Sequence, residues 1–271
     1  MLVMLAPSFD GSSDAYARLV KATGMLAYDL KARLKPGVWG VVKALADEDQ
    51  ARELERRLLA QGLPALIVPR EVAHDPNRRI VTLRALELGA EQIVLHLRER
   101  EMRIPFGALT CIVRGEVHIG QLPSRAAGPS SATFRAVAPS TGDLQVFRES
   151  VSTSNFSAYA AADLHFATVR WVARLDARSF DFSALGVATE SPASDLDQLV
   201  DVLAARSGVR VDRGVRASSV VSTLTQGAGA LSGASAPMPR SKESPSDERF
   251  DPYSRVIGEA ERLLAQARKV A

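Results

Sequence analysis

Four histidines, one cysteine and a few close groups of charged side chains are the residues of this chain able to do chemistry near neutral pH. His74, His96, His118 and His165 fall on separate elements, without the close pairing that lets neighbouring imidazoles share a zinc ion. Cys111 stands between Thr110 and Ile112 in an apolar strand. These placements predict no metal centre, a buried thiol and partly exposed strand histidines. Asp10 and Asp14 flank the start of a helical stretch, where two carboxylates can hold a cation or a free amine or can simply cap the helix, and capping is the ordinary use of Asp and Ser at that position. Lys31, Arg33 and Lys35 make the one close cationic cluster of the N-terminal part, suited to an acidic protein partner. No nucleophile elbow, phosphate-cradling loop or dinucleotide fingerprint occurs, and the glycine-rich stretch from Gly227 to Gly233 does not lie between a strand and a helix. The expectation is a protein without catalytic residues or cofactor. An enzyme would need dispersed groups such as Asp10, Arg84, His96 and Arg114 to converge in a pocket between domains.

The elements that must position these groups follow from bulk properties and periodicity. A chain of 271 residues, 46% hydrophobic and 24% charged, can bury two modest cores and is not disordered throughout. Its net charge of +3 comes from 34 basic and 31 acidic residues spread along the chain, so nucleic acid is not an expected ligand. A single cysteine excludes an internal disulfide. The apolar start from Met1 to Ala6 is too short for a signal segment, and no run reaches membrane-spanning length, which leads us to expect a cytoplasmic protein with no membrane contact.

Leu2 to Leu5 reads as a short buried strand stopped by Pro7. Gly11 to Asp14 supply turn and cap chemistry for a helix through Tyr16, Leu19 and Val20. Gly24 interrupts it, and Leu26, Leu30 and Leu34 carry a second helix to Pro36-Gly37. Val38 to Val42 is a strand, Asp47 with Gln50 starts a helix striped by Ala51, Leu54, Leu58 and Leu59, Gly62 stops it, and Leu66 to Val68 is the next strand. The order is βααβαβ.

On these residues, namely Ala22-Thr23-Gly24-Met25, Lys31 eight positions after Thr23, and the last helix through Arg52, Leu54 and Gly62, the segment 13–69 resembles the C-terminal domain of the bacterial ribosomal stalk protein. It is also similar in element order to the adaptor that delivers N-degron substrates to a bacterial AAA+ protease. The stalk resemblance implies a partner-binding surface on the first helix pair, here Tyr28, Lys31 and Lys35, although Val20 stands where that family has an arginine. The adaptor resemblance implies an amine pocket at Asp10 and Asp14, although Leu34-Lys35-Pro36-Gly37 lacks the histidine that family places before its second strand.

From Arg79 the period changes to that of antiparallel strands: Ile80 to Leu88, Ile93 to Leu97, Met102 to Ile104 and Leu109 to Ile119, then Leu164 to Leu175 and Phe180 to Leu185. Arg98 to Glu101 reads as a charged hairpin turn, Trp39 and Trp171 as core anchors, and Ser194-Asp195 as the start of a closing helix through Leu203. This part resembles a pleckstrin-homology-like or small split-barrel domain in architecture.

The division is a module over residues 1–74, a β-rich domain over 75–213 with an insertion near 121–160 that holds strands around Thr133 to Val137 and Leu144 to Phe147, a disordered linker over 214–251, and an amphipathic helix over 252–271. The fold class is α+β. The function expected is that of a non-catalytic regulatory or adaptor protein, binding through the first helix pair and the tail helix, with self-association through residues 252–271 as an alternative use of that tail.

Overall fold

The computed structural model describes residues 1–97, 100–119, 157–182, 191–216, 218–230 and 249–270. The fold is α+β, with six helices among those residues. Its first unit runs β1 (Leu2–Leu5), α1 (Ser13–Thr23), α2 (Ala27–Arg33), β2 (Gly40–Ala44), α3 (Glu48–Ala60) and β3 (Ala65–Val68). The three strands form an antiparallel sheet in the order β2-β1-β3. Successive strand side chains point to opposite faces, so Val3 and Leu5 pack under α1 to α3 while Leu2 and Met4 enter a second core on the far side. Both faces of β1 are covered, which is why its sequence is an unbroken apolar run. Local signals hold these helices in place. Ser12 caps α1 by accepting from the Ala15 N–H at 3.1 Å, and Asp47 caps α3 through Gln50. Gly24 ends α1 at a φ of +69°, where a side chain would be strained.

The second unit contains β4 (Ile80–Leu83), β5 (Ala85–Leu88), β6 (Gln92–His96), β7 (Glu101–Pro105), β8 (Leu109–Ile119), β9 (Ser157–Phe166), β10 (Val172–Asp176), α4 (Pro192–Ser207) and β11 (Val211–Asp212). β5 to β7 make an antiparallel meander. The other five strands form a sheet in the order β11-β8-β9-β10-β4, antiparallel at its centre and parallel at both edges. Only Arg84 separates β4 from β5, so the chain crosses from one sheet to the other at a corner. The core between the two sheets, closed by α4, holds Ile112, Leu164, Leu175 and Leu199.

Several elements differ from their sequence-based expectation. α4 starts at Pro192 with Ser191 as its cap, because that hydroxyl reaches the Ser194 N–H and Pro fits the first helical turn. No strand forms over residues 177–182. Phe180 and Phe182 instead meet edge to face at 4.8 Å and fill the core from a turn. β8 and β9 pair as far as Ile119 with Ser157, so the insertion leaves from the tip of a long hairpin, and the strands expected near 133–137 and 144–147 lie outside the described residues.

The C-terminal part rearranges the picture most. Within the stretch read as linker, α5 (Ser219–Ala230) is a helix. Its first turn covers the outer edge of β2: the Ser219 hydroxyl accepts from the Val41 N–H at 2.8 Å, and the Ser218 hydroxyl donates to the Trp39 carbonyl. α6 (Phe250–Val270) then lies between the two units. One side of it meets Leu2, Met4, Leu66 and Val68 of the first sheet, and the other meets Cys111, Val113, Val117 and Ala161 of the five-stranded sheet. Phe250, Val256 and Ile257 are completely buried there, each contributing about 1.5–3 kcal/mol by leaving water. The tail helix is therefore a core element of its own chain. No helix among the described residues is long and apolar enough to cross a membrane.

Candidate functional site

The partner face expected from sequence lies at the corner between α1 and α2. Leu30 and Leu34 turn inward and are buried, and Tyr28 lies on the outer face of α2, 82% exposed. Leu26, although it shares the four-residue spacing, precedes the helix as its extended N-cap and is 72% exposed. Lys31 places its ammonium over the Tyr16 ring at 5.5 Å from the centroid, and Lys35 Nζ donates to the Lys31 carbonyl at 3.1 Å. Tyr16 is itself anchored by its hydroxyl to the Leu34 carbonyl at 2.7 Å. The result is a helix corner carrying two exposed apolar side chains beside two cations.

The acidic pair at the start of α1 has local work. Asp10 accepts from the Ser12 N–H at 2.9 Å, and that bond holds its exposed carboxyl below the usual range. Asp14 pairs with Arg18 at 3.0 Å, one turn along the helix. Each carboxylate thus has a partner within its own segment. The four dispersed groups do not converge. Arg114 pairs with Asp197 of α4 at 3.1 Å, His96 reaches Glu87 and Glu101 at 3.1 and 3.4 Å across the meander, and Arg84 sits at the corner between sheets.

Where the sequence leads one to expect partly exposed strand histidines, the structure holds a buried ionic network around His165. On β9 and β10, Asp163, His165 and Arg174 point to the face opposite the apolar Ala162, Leu164, Ala173 and Leu175. α6 covers that face with its own polar side. Arg174 grips Asp163 through two bonds of 2.7 and 2.8 Å and reaches Asp251 at 2.8 Å. Burial alone would lower the Arg174 pKa, but Asp163 and Asp251 together more than offset it and the guanidinium stays charged. His165 is 5% exposed and shares a 2.9 Å hydrogen bond with the Ser254 hydroxyl. Burial pushes its pKa down to about 4, so the ring is neutral at physiological pH. Glu259 receives Arg78 and, at 2.6 and 2.8 Å, Arg262. Burial alone would raise its carboxyl, and the two guanidiniums hold it below the usual range.

A second polar joint ties all three parts. Glu261 of α6 accepts from the Trp39 indole at 2.9 Å and from Arg210 at 3.2 Å, while Arg210 also donates to the Gly37 carbonyl at 2.6 Å. Tyr253 donates to the buried Asp212 at 2.6 Å. The signal that could have exposed this arrangement was the alternation Ala162-Asp163-Leu164-His165-Phe166, matched by Asp251, Ser254, Arg255 and Glu259 on one side of the tail. Trp39 is a core anchor, whereas Trp171 is only half-buried at the mouth of β10. Cys111 is buried, and burial raises its thiol pKa well above the ordinary value, so it stays protonated.

Comparison with protein-family models, with curated proteins and with solved structures found no match.

Proposed function

We propose that this chain is a non-catalytic regulatory or adaptor protein of the cytosol whose partner-binding face is the α1–α2 corner, with Tyr28, Leu26, Lys31 and Lys35 as its contact residues. The observation that carries this reading is the pair Leu26 and Tyr28, two large apolar side chains more than two-thirds exposed at the start of α2. Exposed aromatic and leucine side chains flanked by ammonium groups suit an acidic partner, the aromatic supplying contact area and the cations steering approach. The resemblance of residues 13–69 to the ribosomal stalk domain supports the same surface. The tail helix is left out of the contact, because its apolar face is already packed inside its own chain and self-association through that face would have to replace those contacts.

The test is capture from host cytosol by the full chain, with bound proteins identified and quantified. A stoichiometric acidic partner that is lost with Tyr28→Ala and with the double change Lys31→Glu, Lys35→Glu, while the thermal transition stays in place, is the expected result. Undiminished binding by both variants sinks the assignment of this face.

A further inference from the structure

A cleft of about 360 Å³ opens where the segment joining β9 to β10 passes the middle of α6. One wall is aromatic: the rings of Phe166 and Trp171 lie 6.3 Å apart, inclined at 55°. The rest is cationic, since the charged groups that line it are Arg78, Arg170 and Arg262 against the single carboxylate of Glu259. Glu259 is already shared by Arg78 and Arg262, so one carboxylate serves two guanidiniums. Arg170 is exposed and has no hydrogen-bond or carboxylate partner among the described residues. The Nε of Arg78 is buried without a hydrogen bond, and its nearest further carboxylate, Asp75, is 3.6 Å away. His165 at the floor adds no charge at neutral pH.

Surplus guanidinium beside a half-buried indole suits one chemistry. Arg presents a planar fork that takes a carboxylate or phosphate through two bonds, and an indole face takes a flat apolar group. The geometry points to a binding site for a small organic anion that carries a flat ring, with its anionic group held by Arg170 and Arg262 and its ring laid against Trp171. The size suits it, because small-molecule sites begin near roughly 300 Å³. Through Glu259 and Arg262 the occupant would touch α6 directly, at its polar seam with the five-stranded sheet. This site is separate from the α1–α2 corner, and changes at Lys31 and Lys35 leave it intact.

The experiment is calorimetric titration of the full-length chain with benzoate and with AMP, and with inorganic phosphate as an anion lacking a ring, while Trp171 emission is followed. Saturable binding of a ring-bearing probe with a Kd below about 1 mM, weakened at least about tenfold by Arg170→Ala and silent in emission with Trp171→Phe, is the expected result. Arg170 is exposed, so its replacement leaves the fold in place, as the circular dichroism of the variant will report. The proposal is overturned by an absence of saturable binding for both ring-bearing probes, by equal binding to the Arg170→Ala protein, or by inorganic phosphate binding as tightly as AMP.

Discussion

At the scale of single residues, burial governs what the titratable groups do. His165 has the chemistry of a pH switch, yet enclosure between β9 and α6 moves its pKa from an ordinary 6.5 to about 4. The sign follows by linkage. Below pH 6.5 the unfolded chain takes up a proton that the folded chain refuses until about pH 4, so the contribution of His165 to stability is complete above pH 6.5 and falls as the pH drops from 6.5 to 4. The loss across that window is on the order of 3 kcal/mol. Denaturant titrations between pH 4 and 7.5 should show this slope in the wild type and a flatter one in His165→Gln, and identical slopes would remove His165 as its source. The same enclosure explains why the histidine was misjudged from sequence. Its neighbours Leu164 and Phe166 mark it as lying on a polar strand face, and a polar face is ordinarily wet.

At the scale of elements, α6 is specified by close approach as much as by hydrophobicity. Gly258 sits where a side chain would overlap the His165 ring, and a Cβ at Gly115 would come within 2.5 Å of the Phe250 ring. Glycine at both points lets the helix lie flat on the sheet. Gly258→Ala should therefore lower stability by about 1–3 kcal/mol or more, against the small gain alanine gives in an exposed helix. A midpoint in denaturant equal to or above the wild type would mean that α6 does not sit where the structure has it. The helix itself was legible from its repeat of apolar residues every three or four positions. Its place was not, because that pattern says only that one side avoids water. α5 escapes detection for a related reason: its Gly, Ser, Thr and Val content argues against a helix, and its buried Val220 and Leu224 are too few to signal one. Contact with β2 supplies what propensity lacks.

For the whole molecule, the consequence is mechanical unity. α6 fills the space between the first sheet and the five-stranded sheet, and Glu261, Arg210 and Trp39 join it to both units, so the core that the two units share is incomplete without the tail. Cooperative unfolding should follow. Trp39 reports the first unit and Trp171 the second, so single-tryptophan proteins made by Trp171→Phe and Trp39→Phe should each lose fluorescence in step with far-ultraviolet circular dichroism of the same protein. Two separate steps in either protein would show that the units melt independently.

The βααβαβ order, the helix caps at Asp47 and near Ser12, the stop at Gly24, the meander and the amphipathic tail are all set by residues within a few positions of one another, and the sequence alone determined them. What only the tertiary structure decided is what covers what. Arg174 lies 77 residues before its α6 partner Asp251, and His165 lies 89 before Ser254. No local pattern carries the fact that a polar strand face and a polar helix face will be pressed together out of water. Period reports which side of an element is polar, whereas the partner of that side is fixed by the packing of the whole chain.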